Sequence, residues 1–190
     1  MTVNADTGSR PAIDEVLGSC ESGIPKVVLV GPPGAGKTTI GRRLGRALNL
    51  QFVDSDSIIE QAEGKPCGEV YASLGEDAFR DLEHEVVKQV LGSKGVVSLG
   101  GGAVVRPETR ALLENHLVVW VDVGVKEGTR RTAGDGTRPV LAAEDPEARY
   151  QALLTEREPF YREVADYRVR TDDRPPQRIV AEVLGVIDSE

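Results

Sequence analysis

Cysteine is scarce in this chain of 190 residues: Cys20 and Cys67 are too few for a disulfide framework and sit at no metal-ligand spacing. A cytoplasmic setting, where thiols stay reduced, is expected. No stretch approaches the roughly 20 apolar residues of a membrane span. The start, "MTVNADTGSR", lacks the basic residues and apolar run of an export signal, so no membrane partner is expected. Positive charge is also short, with 23 Lys and Arg against 31 Asp and Glu, a net charge of −8. That balance argues against a nucleic-acid partner, which would need a broad basic face. Lysine is the rarer cation, 6 against 17 arginines, and nine of those arginines fall between Arg130 and Arg174. Either the genome favours arginine, or the second half grips carboxylate or phosphate with guanidinium forks. His84 and His116, the two histidines, have no Ser, Cys or second His at a telling spacing, which points to structural roles.

Hydrophobic residues make up 39% of the chain, enough for one sizeable core, and a single domain is the expectation at this length. Residues 1–24 are rich in Ser, Gly, Asp and Glu, with one helical turn's worth of apolar residues in "AIDEVLG". They read as a disordered tail ahead of a domain covering 25–190, rather than as a docking segment.

From Lys26 a βα pattern begins. "KVVLV" is a β-branched run of the kind buried on both faces of a parallel sheet. Helical spacing follows from Thr39 to Asn49, then "QFV" as a strand and "SDSIIEQAEG" as a capped helix. "EDAFRDLEHEVVKQVLGS" places Phe79, Leu82, Val86, Val87, Val90 and Leu91 on one helical face. "GVVSL" is a third strand running into three glycines, "LVVWVDV" a fourth, and "YRVRT" a fifth, with helices from Pro107, Val125, Pro146 and about Pro175. The aperiodic "TAGDGTRPVLAAEDP" suggests a lid over about 133–146. Alternating strands and helices imply an α/β fold with helices on both faces of a parallel sheet.

Two short stretches carry chemistry. "GPPGAGKT", Gly31 to Thr38, matches G-x-x-x-x-G-K-[ST], a loop whose N–H groups and following helix N-terminus cradle phosphates. Gly34, Ala35, Gly36, Lys37, Thr38 and Thr39 are the nucleotide-binding candidates. Lys37 can reach the β- and γ-phosphates, and the Thr38 hydroxyl can ligate Mg²⁺. "FVDSDS" sets Asp54 and Asp56 one residue apart at a strand-to-helix junction. An acceptor hydroxyl needs a carboxylate to orient it or take its proton, and Asp56 is the candidate. Asp54, nearer the phosphate loop, would hold Mg²⁺ through a water.

The ordered set "GPPGAGKTTIGRRLG", "FVDSDSIIE", "GEDAFRDLE", "SLGGGAV", "TRPVL" and "REPFYREVAD" resembles the shikimate kinases from about Lys26 to the C-terminus. The resemblance implies a P-loop kinase fold of three layers with a five-stranded parallel sheet in order 2-3-1-4-5. It further implies a helical substrate-binding insertion at about 55–83, a lid and a monomer. The implied reaction is ATP- and Mg²⁺-dependent phosphorylation of the shikimate 3-hydroxyl, a step of aromatic amino-acid biosynthesis. Asp56 would meet substrate hydroxyls, Arg80 and Arg157 would grip the shikimate carboxylate, and Gly101 and Gly102 would let the ring approach the backbone. Arg138 in the lid would close over the γ-phosphate, with Lys37 and Asp56 completing the catalytic set. Arg131, or Arg130 beside it, and Arg174 would lie near the adenine. Glu83 would orient Arg80, and Ser98 would touch the water shell of Mg²⁺. Gluconate-type kinases also need arginines for a carboxylate, but "DSD…FR…GGG" favours shikimate. A nucleotide-operated switch is the reading from another class, and no N-K-x-D guanine motif supports it.

Overall fold

A computed structural model describes residues 12–18, 20–133 and 144–190 of the chain. Five parallel strands, β1 (Val27–Val30), β2 (Phe52–Asp54), β3 (Val96–Ser98), β4 (Val118–Asp122) and β5 (Tyr167–Arg170), lie in the order β2-β3-β1-β4-β5. This is the expected sheet. The central strands are buried on both faces because they read as unbroken Val and Leu runs. Val28 and Val30 turn to one core, with Val97, Val118 and Trp120; Val27 and Leu29 turn to the other, with Val96, Val119 and Val121.

The helices among the described residues are α1 (Ile13–Leu17), α2 (Lys37–Leu48), α3 (Ser55–Glu63), α4 (Cys67–Leu74), α5 (Glu76–Val90), α6 (Pro107–Leu112), α7 (Val125–Thr132), α8 (Pro146–Val164) and α9 (Pro176–Ser189). A single 3₁₀ turn, Ala103–Val105, follows the glycine run. The caps explain several boundaries. Asp54 accepts a bond from Ser57 N to open α3, and Gly64 ends it with φ +68. Asp145 accepts from Ala148 N and Pro146 occupies the first turn of α8.

Residues 12–18 and 20–24 differ from the expected disordered tail. Ile13, Val16 and Leu17, spaced for one helix face, pack with Cys20 against the core under α3 and α5. Ser22 bridges Ser93, Lys94 N donates to Glu21 O at 2.7 Å, and Gly23 N donates to Gly92 O at 2.9 Å. A five-residue helix cannot offset its own nucleation cost, so its partner is what orders it. Residues 1–11 and 19 of that stretch, and residues 134–143 of the lid, lie outside the described residues. So does Arg138. Helix α4 is the element that sequence pattern left without a boundary.

The strand ends Val30, Asp54, Ser98 and Asp122 point the same way. In an open α/β sheet that edge is where ligands bind, beside the strand at which the order reverses. Here the strand is β1, and the phosphate loop leaves from its end.

Candidate active site

The phosphate loop is held from behind by three successive carbonyls. Tyr150 Oη donates to Pro33 O at 2.7 Å, Arg131 Nη1 to Gly34 O at 3.2 Å, and Thr171 Oγ1 to Ala35 O at 3.0 Å. A trans peptide is planar, so an anchored carbonyl also sets the direction of the N–H in its own peptide unit. The N–H groups of Gly34, Ala35 and Gly36 are oriented this way. Lys37, almost wholly buried, donates Nζ to Gly31 O at 2.8 Å and Pro32 O at 3.1 Å. Its ammonium is therefore folded into the loop it serves.

Across the strand ends lies a cleft of about 280 Å³. Lys37, Thr38, Asp54, Asp56, Arg80, Gly101, Gly102 and Arg157 all line it, together with Tyr71, Phe79, Glu83 and Cys67. Register explains how Asp54 arrives, since β2 pairs Asp54 with Ser98 on β3. One Asp54 oxygen caps α3; the other stands 3.5 Å from Thr38 Oγ1. Capping and facing the phosphate-loop hydroxyl are thus duties of one side chain. Ser98 Oγ is buried with no hydrogen-bond partner.

Arg80 donates Nη1 to Glu83 at 2.6 Å, one turn along α5, with both side chains largely buried. Its guanidinium carbon lies 5.9 Å from the Tyr71 ring centroid and 5.6 Å from that of Phe79, contacts that favour a cation. The Nε atoms of Arg80 and Arg157 are both buried without partners. Buried donors left without a partner in this way are costly to the fold.

The glycine run has a reason beyond letting a substrate near. A Cβ on Gly102 would stand 2.4 Å from Arg80 Nη1, and one on Gly100 would stand 2.3 Å from Asp56 Oδ1. Both glycines leave room for buried charge. Gly100 N also donates to Ser55 Oγ at 2.9 Å, tying the run to the start of α3.

Burial pushes the Glu83 carboxyl up to about 7; Arg80 pulls it back, Asp56 pushes it further, and Arg157 pulls it down. Between the ordinary value near 4.5 and this raised one, the folded chain keeps a proton that the unfolded chain has lost. The stability from Glu83 is therefore full below about 4.5 and is lost as pH rises through about 7. Glu83→Gln should flatten the pH slope of thermal unfolding across that window. An unchanged slope would remove Glu83 as its source.

Cys67 sits closer to the chemistry than its scarcity suggested. Its Sγ lies 3.4 Å from Asp56 O, and its N–H donates to Glu60 at 3.0 Å to start α4. Burial, and then the Asp56 charge, push the thiol well above its usual range. It is a poor thiolate and serves as packing. Of the two histidines, His84 Nδ1 pairs with Thr109 Oγ1 at 2.8 Å, and burial lowers His116. Neither lines the cleft.

Arg131 and Arg130 separate here. Both pair with Glu127, but Arg131 also reaches Gly34 and Thr171, whereas the Arg130 side chain is 70% exposed. Arg174 is not brought to the phosphate loop: it donates to Arg170 O and to Glu182 of α9. Ser55, Tyr150, Tyr161 and Thr171 are site-building residues that sequence reasoning missed. The signals for the tyrosines were their rarity, four in the chain with two of them on α8, and for Tyr161 its place in "REPFYREVAD".

The sheet order, the phosphate loop on its central strand and the facing cleft define the class: a P-loop kinase fold built for a small acceptor. A sequence profile of the shikimate kinases matches residues 33–188. The shikimate kinase of Corynebacterium efficiens is 60% identical over 166 residues, 87% of this chain and 98% of that one. Shikimate kinase from Acinetobacter baumannii, solved in complex with shikimate, superposes with a TM-score of 0.82 at 36% identity, covering 88% of this chain and 95% of that one. A gluconokinase from Sinorhizobium meliloti, at 19% identity and a TM-score of 0.56 over 86% and 91% of the two chains, shares the fold alone. The chain belongs to the shikimate kinase family.

Proposed function

We propose that this protein transfers the γ-phosphoryl group of ATP to the 3-hydroxyl of shikimate, yielding shikimate 3-phosphate and ADP for aromatic amino-acid synthesis. The observation that carries the reading is the pair of half-buried arginines, Arg80 and Arg157, which line one cleft with Asp56. Two guanidinium forks suit a planar carboxylate, and Asp56 suits a hydroxyl on the same ring. Gly101 and Gly102 border the same space, and the relative solved with shikimate supports the choice of acid.

Lys37 and the loop N–H groups hold the β- and γ-phosphates, with Gly34 to Thr39 as the nucleotide cradle and Arg131 at its edge. Arg174, engaged with Glu182, is the adenine-side residue of this reading. Arg138, outside the described residues, is the lid arginine of this proposal. The residues fit Mg²⁺, since Thr38 and Asp54 offer hard oxygen near the phosphates and the unpartnered Ser98 Oγ can take a bond from its water shell. Bound there, the ion would neutralise charge on the phosphates. A monomer in the cytoplasm, with a catalytic domain from 25, a substrate-binding region at about 55–83 and a lid at about 133–146, completes the proposal. No helix among the described residues is long and apolar enough to cross a membrane.

An ADP-release assay with shikimate, gluconate, AMP or no acceptor tests the reading. Turnover should rise with shikimate alone. Equal rates with shikimate and buffer would overturn it; a rise with gluconate would transfer the site to that acid, and acceptor-independent hydrolysis would favour a switch.

A further inference from the structure

Helix α8 carries more of the site than Arg157. Two buried tyrosines stand on either side of that arginine along the helix, Tyr150 near its start and Tyr161 one turn beyond Arg157. Both rings are wholly shielded from solvent, and each sends its hydroxyl to one backbone carbonyl at the substrate edge. Tyr150 donates to Pro33 O at 2.7 Å and Tyr161 to Gly101 O at 2.6 Å. Tyr161 also lies within hydrogen-bonding reach of the Arg157 guanidinium and packs on Trp120 at 5.8 Å between ring centroids.

The two carbonyls belong to peptide units whose N–H groups are those of Gly34 and Gly102. Because the unit is planar and trans, its N–H points opposite to its C=O. Pinning Pro33 O toward Tyr150 therefore turns the Gly34 N–H away from α8, on the side of the phosphate cradle. Pinning Gly101 O toward Tyr161 does the same for the Gly102 N–H in the turn that lines the acceptor cleft. A loop without such a pin would sample both orientations of these peptides, and a ligand would have to supply the ordering on binding. The fold makes specific room for one pin: a Cβ on Gly128 of α7 would fall 2.3 Å from the Tyr150 hydroxyl.

We infer that Tyr150 and Tyr161 are positioning residues for different substrates, Tyr150 orienting the phosphate loop for the nucleotide and Tyr161 the glycine turn for the acceptor acid. Burial also pushes the Tyr161 hydroxyl up to about 12, which keeps it a donor at any working pH. The acceptor half of the inference rests on the proposed shikimate reading; the nucleotide half does not.

The test is a split between the two ligands. KM values, and calorimetric Kd values for shikimate and for a non-hydrolysable ATP analogue with Mg²⁺, are measured on Tyr150→Phe and Tyr161→Phe. Each substitution keeps the ring; Tyr150→Phe removes the bond to Pro33 O, a loss of about fivefold, and Tyr161→Phe removes the bond to Gly101 O together with the contact to the Arg157 guanidinium, a loss of at least about that size. Tyr150→Phe should weaken the nucleotide about fivefold and shikimate less than about twofold; Tyr161→Phe should do the reverse. A fall in both affinities together, or a lower melting temperature with neither affinity changed, would assign the tyrosines to plain packing and overturn the inference. Should a phenylalanine variant not fold, Gly128→Ala disturbs the Tyr150 pin from α7, and Trp120→Phe loosens the Tyr161 seat. An unselective loss in those variants also overturns it. Absence of shikimate turnover in the unmodified protein would sink the acceptor reading instead, leaving the nucleotide arm to be judged on the ATP analogue alone.

Discussion

Asp56→Asn is expected to lower kcat for shikimate phosphorylation by at least about a hundredfold, the scale of a lost acid–base group, with the fold intact. Asparagine keeps the size and one carbonyl oxygen, so the contact with the Cys67 thiol, which uses the Asp56 backbone, is untouched. The loss of charge also relieves Glu83, whose carboxyl Asp56 pushes upward. Folding should thus survive, and a melting temperature within a few degrees of the unmodified protein is part of the expected result. The phosphoryl-transfer transition state is loose, so little early deprotonation is demanded. A fall of only about tenfold would mean that Asp56 orients the hydroxyl without taking its proton, and near-normal turnover would remove it from the reaction altogether.

Arg80→Ala should raise the shikimate KM about a hundredfold and the ATP KM no more than about threefold. Truncating one partner of a buried, hydrogen-bonded charge pair costs about 2–5 kcal/mol, and about 2.8 kcal/mol corresponds to a factor of one hundred. Part of that cost is the carboxylate left behind. Glu83, already raised to about 7 by burial, would go higher without Arg80 and take up a proton rather than remain a buried anion. Lysine should not rescue the variant, because its point charge lacks the planar fork and the contacts with Tyr71 and Phe79 suit a guanidinium. Equal loss toward shikimate and ATP in steady-state kinetics would end the carboxylate-clamp role and make Arg80 a general support of the cleft.

Both predictions concern residues that are legible in the amino-acid sequence. Asp56 and Arg80 lie in short motifs whose spacing is local, and the phosphate loop is contiguous, so its roles follow from sequence order. The sheet was legible for the same reason: runs such as Val27–Val30 and Val118–Asp122 can be buried only between two layers. Less could be read where an element depends on a distant surface. Ile13–Leu17 is too short to hold itself together and is ordered by its seat beneath α3 and α5. Helix α4 begins where the Cys67 N–H meets Glu60, a contact made across the turn that separates it from α3.

The amino-acid sequence by itself determined the strand order's raw material, the phosphate cradle, the paired carboxylates and the arginines, because hydrophobic period and contiguous loops are properties of neighbouring residues. Only the tertiary structure decided which arginine reaches the loop, since Arg130 and Arg131 differ by one position yet point about 100° apart on a helix of 3.6 residues per turn. It alone also placed Tyr150 against Pro33, Tyr161 against Gly101, and Gly100 and Gly102 where buried charges need space. Those pairs join residues far apart in the chain, and a hydrogen bond to a backbone carbonyl leaves no mark on the identity of the residue that accepts it.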